Sequence, residues 1–125
     1  MKKIIFRVTK GYKGYKIFNP DWTCIDMHYA CPAVFNLENK DNLEFGKWGF
    51  HFCKYLADCY SYYPEALEDN NYHICEINAL GRVTYPGSQV DSARCTDKIE
   101  IVKELTKAEI DTAIFKQGLE KCATR

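Results

Sequence analysis

Phe45-Gly46-Lys47-Trp48-Gly49-Phe50-His51-Phe52-Cys53 is a glycine-punctuated loop running into a short apolar stretch. Trp48 to Cys53 reads as a buried strand. Asp58-Cys59-Tyr60-Ser61-Tyr62-Tyr63 follows it with a heavy load of rings. Leu56, Cys59, Tyr60 and Tyr63 fall at i, i+3, i+4 and i+7, which predicts one face of a helix. Pro64 ends it, because the residue before a proline is pushed out of the α region. Glycine backbone, one imidazole and several phenols thus share a neighbourhood, and such a wall suits a flat ligand with polar edges.

On the N-terminal side, Ile4, Phe6 and Val8 alternate with Ile5 and Arg7, the period of a strand. Gly11 and Gly14 punctuate a turn, and Tyr15 to Phe18 continue as a second strand. Asn19-Pro20-Asp21 is a turn signal. From Trp22 to Leu43 the pattern is irregular, read as a long loop with a short strand near Val34-Phe35. On the C-terminal side, Glu65 to Asn71 is a polar loop and Tyr72 to Leu80 is the clearest strand, interrupted at Gly81. Thr84 to Asp91 holds the Pro86-Gly87 turn signal, and Lys98 to Lys103 is another strand with Ile99 and Ile101 on one face.

The last element announces itself by its start. Thr106 and Glu109 make a capping box, and Leu105 and Ile110 occupy the positions of a hydrophobic staple. Gly118 is the predicted stop, with 119–125 a frayed tail. The order predicts one α+β domain over 1–125. Its sheet is bent, mostly antiparallel and split, with a central helix and a C-terminal helix.

Composition narrows the class. At 125 residues, 46% hydrophobic and 27% charged, the chain reads as globular with a real core. No apolar run approaches the roughly 20 residues that span a bilayer. The start is basic and then apolar, but the run breaks at Arg7, so the expected location is the cytosol. Seven cysteines form no disulfide framework and read as buried small hydrophobes. Seventeen basic and 17 acidic residues balance, which argues against nucleic acid as a partner. Lys10, Lys13 and Lys16, with Tyr12 and Tyr15 between them, are the one candidate basic-aromatic stripe, and a solvated face is its commoner meaning.

The constellations are weak taken one at a time. His51, Cys53 and Cys59 lack the tight pairs of a zinc site, so no metal is expected. A Cys53–His51 nucleophile would need an accessible, electropositive thiol, and one strand holds the two side chains parallel. Neither glycine pair is long enough for a phosphate loop. Asp97 and Glu100 sit near a strand start, where a solvated acid is the usual role.

Lys13-Gly14-Tyr15, Thr23-Cys24, Gly49 to Cys53, Tyr62-Tyr63, Glu76 to Gly81 and Ile99 to Leu105 together resemble a domain family of phages and mobile elements. That resemblance covers roughly residues 6 to 110 and implies no activity. Phe45 to Phe52, Tyr60 to Tyr63 and Ile74 to Gly81 are also similar, in order and spacing, to the central part of ADP-ribosyltransferase folds. The second resemblance implies a cleft lined by Gly49, His51, Tyr60 and Tyr63, with a tyrosine stacked on a nicotinamide. It implies Arg7 as a clamp on the nucleotide and Asp97 as the acid that stabilises the developing cation, with NAD or ADP-ribose as ligand.

The leading expectation is a small phage-type accessory protein of the host cytoplasm. It binds a host protein or a nucleotide-like molecule, and an inhibitor of a bacterial defence complex is its specific version. An active mono-ADP-ribosyltransferase and a structural module without ligand are the alternatives.

Overall fold

Strand alternation fills both sides of one sheet. The computed structural model describes residues 2–25 and 27–123. Its strands are β1 (Lys3–Arg7), β2 (Tyr12–Phe18), β3 (Thr23–Cys24), β4 (Met27–His28), β5 (Ala33–Asn36), β6 (Phe50–Cys53), β7 (His73–Ala79), β8 (Arg82–Pro86), β9 (Ala93–Thr96) and β10 (Lys98–Glu104). Its helices are α1 (Leu56–Cys59) and α2 (Lys107–Ala123). Eight strands form one sheet in the order β1-β8-β9-β6-β2-β7-β10-β5, and β3-β4 is a separate hairpin. Each neighbouring pair is antiparallel, so the fold is α+β with an antiparallel sheet.

Successive residues of a strand point to opposite faces, and here both faces are apolar. Phe18, Phe50, Phe52, Ile77 and Ile101 fill one side, beneath Tyr29 and the hairpin residue Cys24. Tyr15, Ile17, Cys53 and Ile74 fill the other, against Leu56 and Cys59 of α1 and Ile110 and Ile114 of α2. Gln117 Oε1 accepts the Leu56 N–H at 2.7 Å and ties α1 to α2.

The sheet is not evenly laced. β2 pairs with β7 from Tyr12 to Phe18, yet it meets β6 at one register position, Tyr15 opposite Cys53. Past that point the two strands part. Lys16 Nζ reaches across and donates to the His51 carbonyl, taking the place of a ladder hydrogen bond.

Several expectations need correcting. The helix after Cys53 is one turn long, and Tyr60 to Tyr63 leave it as a turn. The cause is local: Pro64 opens a 3₁₀ turn over Pro64–Leu67 and holds Tyr63 outside the helical region (φ −134, ψ 65). Gly14 lies inside β2 rather than in a turn, and the loop expected from Trp22 to Leu43 contains β3 and β4 besides the short strand expected near Val34-Phe35, which is β5. Gly81 interrupts the strand as expected, at the turn from β7 into β8, whereas β9 had no expectation at all. Gly118 lies within α2, which continues to Ala123.

The start of α2 is as expected. Glu109 N–H donates to Thr106 Oγ1 at 3.2 Å, and Thr106 N–H donates to Glu109 Oε1 at 3.0 Å. Thr106→Ala removes one half of this box and is expected to lower stability by about 1 kcal/mol. Urea denaturation at pH 7 measures it, and an unchanged midpoint would mean that α2 starts without its cap.

Candidate functional site

The parting of β2 from β6 leaves a cavity of about 360 Å³. Because it lies between strands, residues of both faces line it. Tyr15, Ile17 and Lys16 come from β2, His51 and Cys53 from β6, and Tyr62 and Tyr63 from the turn after α1. Phe45 and Gly46 of the loop before β6 also line it, as do the buried Cys24 and the exposed Ile25 of the hairpin. The lining is largely apolar, the usual setting for a small-molecule cleft with few polar groups.

His51 and Tyr63 are brought together in this cavity, and the other proposed residues are not. Tyr60 turns into a second groove with Tyr72, Glu104 and Lys107, because α1 ends before the helical face can align it with Tyr63. Gly49 is a packing residue. Its φ of +148° suits glycine, and a Cβ there would overlap Cys95 Sγ and sit 2.8 Å from Leu43 Cδ1. Arg7 is exposed at the end of β1 and pairs in register with Arg82. Asp97 is 2% exposed, and its carboxylate accepts from Arg82 N–H at 2.8 Å and Arg82 Nε at 2.9 Å. Neither Arg7 nor Asp97 lines the cavity.

His51 is held neutral. Its Nε2 accepts the Gly46 N–H at 2.7 Å, which fastens the Phe45–Gly49 loop to β6. Burial, with the nearby Lys16 charge and against a hydrogen bond to the Gly49 backbone, lowers its pKa to about 4. A ring whose Nε2 is occupied in this way is no base for Cys53. The neighbouring Cys59 thiol is pushed well up by its hydrogen bond to Cys53 and by burial, so it is protonated at neutral pH. Tyr63 Oη donates to Cys24 Sγ at 3.0 Å, and burial raises that phenol too. Among the described residues, no group of three or more His, Cys, Asp or Glu is placed to hold a metal ion. Nor is any described helix long and apolar enough to cross a membrane.

Residues 12–113 match a family described as a domain of unknown function, DUF7666. The chain belongs to this family. No curated protein and no solved structure matches the chain. The stretch shared with DUF7666 contains the whole lining of the cavity and leaves Arg7 outside it.

The sequence reading missed Lys16, Phe45, Tyr62 and Cys24 as parts of this site. Lys16 carried a signal, since it stands inside the apolar run Tyr15-Lys16-Ile17-Phe18. Reading it in a stripe with Lys13 was wrong, because residues three apart on a strand face opposite ways. Lys13 pairs with Glu76 at 2.9 Å in solvent, whereas Lys16 is 4% exposed. Tyr62 and Cys24 approach from distant segments, and no local spacing marks that.

Proposed function

We propose that the protein is a binding module whose cleft takes a small, flat, ring-bearing molecule, and that it serves as a phage-type accessory protein acting on a host partner. The cavity carries the first half: rings of Tyr15, Phe45, Tyr62 and Tyr63 surround an opening of about 360 Å³, toward the small end for ligand sites. Stacking on such rings is tolerant of ligand chemistry and favours planar bodies. The second half rests on the resemblance to proteins of phages and mobile elements, with inhibition of a host defence complex as its specific form. It is an argument from kinship rather than from the site.

Transfer of ADP-ribose is the less supported reading. Its acid, Asp97, is already clamped by Arg82, and its clamp, Arg7, stands away from the cleft. A dinucleotide also brings two phosphates, against one cationic side chain, Lys16, in the lining. A ligand that binds only the folded chain raises its stability, by about 2.7 kcal/mol at a hundred times Kd. Thermal unfolding with indole, adenosine, cyclic nucleotides, NAD and ADP-ribose is therefore decisive. Stabilisation by the ring compounds but not by NAD or ADP-ribose is expected. A flat response to every compound removes the cleft as a ligand site, and label transferred from NAD to host proteins restores the transferase.

A further inference from the structure

A lysine in the central strand of a sheet is rarely buried without a carboxylate, because an isolated ammonium loses several kcal/mol of hydration there. Lys16 is such a residue: it is 4% exposed and makes no salt bridge to a described residue. Its Nζ donates to the His51 carbonyl and stands 5.4 Å from the Tyr29 ring centroid and 5.7 Å from that of Phe18. An ammonium has three N–H donors, and the carbonyl uses one. The ring faces offset part of the lost hydration. Among the described residues, none around it is shown to offer a full negative charge. His51 is neutral. The Cys59 thiol is held protonated by Cys53 and burial, and burial pushes the Cys95 thiol up to about 12.

The same lysine lines the cavity. The place that could deliver the missing charge is therefore the place left open. We infer that the ligand of this cleft is a small monoacid, its carboxylate against Lys16 Nζ and its ring among Tyr15, Phe45 and Tyr63. One cation in an apolar lining selects one negative charge on an apolar body, and it disfavours polyphosphates. This deepens the cleft reading and rests on it.

Titration calorimetry of the full chain with benzoate and 1-naphthoate, each against its uncharged carboxamide, tests the assignment. The acid and the amide have nearly the same shape, so their difference reports the charge. A charge-assisted hydrogen bond in a buried site should favour the acid by about tenfold or more. Lys16→Met should bring acid and amide to within about threefold of each other. Equal binding of acid and amide by the unmodified chain overturns the monoacid but keeps the cleft, and Lys16 is then only a bridge across the strand gap. No binding of any of the four compounds overturns both. The comparison on the unmodified chain stands even if Lys16→Met fails to fold.

Discussion

Asp97→Ala is expected to lower the unfolding free energy by about 3 kcal/mol, with a fall in Tm of roughly 10 °C. The carboxylate is buried between β9 and β10, where it accepts both the backbone N–H and the side-chain Nε of Arg82. Those two bonds hold the start of β8, and hence the turn through Gly81. Alanine removes the acceptor of the Arg82 N–H and the carboxylate that faces its Nε. Arg82 is partly exposed, so water recovers some of the loss, and the expected value sits at the lower end for a broken buried pair.

Gly81 supplies an internal control. A Cβ at 81 would overlap Asp97 Oδ1 and stand 3.1 Å from its Cγ. Gly81→Ala should therefore cost 1–3 kcal/mol, the usual range for overpacking, in the unmodified chain and clearly less where Asp97 is already alanine. Such coupling is what contact between two sites produces. Urea denaturation of the four proteins measures it. Strict additivity, or a loss under about 1 kcal/mol for Asp97→Ala, would mean that the carboxylate is not clamping this turn. The acid proposed for catalysis would then be free for another task.

The second large effect is on the acid limb of stability. His51 has a folded pKa of about 4 against an ordinary value of 6.5, chiefly because burial disfavours the imidazolium. Between those values the unfolded chain binds a proton that the folded chain refuses. Stability from this residue is thus complete above pH 6.5 and is lost as the pH falls toward 4, a change of about 3 kcal/mol. His51→Gln keeps an acceptor for the Gly46 N–H and a donor for the Gly49 backbone but cannot titrate. Denaturant midpoints from pH 7 to pH 4 should fall more steeply for the unmodified chain, by about that amount. Carboxylates titrate in both proteins and cancel in the difference. Parallel curves would show that the ring accepts its proton without leaving the fold.

These two residues show where local pattern stops being informative. Asp97 is one residue between two strands, and its partner at 82 lies across a hairpin pair that sequence spacing does not announce. His51 sits in a glycine-rich motif that invites a ligand role, yet its Nε2 is committed to the loop that precedes it. The i, i+3, i+4, i+7 face of Leu56, Cys59, Tyr60 and Tyr63 was legible as a helix, and its first two members are helical and buried. Pro64 then separates Tyr60 from Tyr63 and sends them to different cavities. β9 was invisible because Ala93-Arg94-Cys95-Thr96 has little apolar alternation. It is a strand because β6 and β8 flank it and supply both ladders.

From sequence alone come the α+β class, the long strand read over Tyr72 to Leu80 and observed as β7, and the start of α2, because short-range chemistry specifies each. Period-two alternation marks a strand wherever it pairs, and a Thr–Glu box satisfies helix N–H groups within one turn. The tertiary structure alone decided that β2 and β6 part after a single register position, that Lys16 is buried across the gap, and that only His51 and Tyr63 of the proposed wall face one cavity. Those outcomes depend on which strands become neighbours and how far they stay paired, a balance of packing over the whole sheet that no window of residues contains.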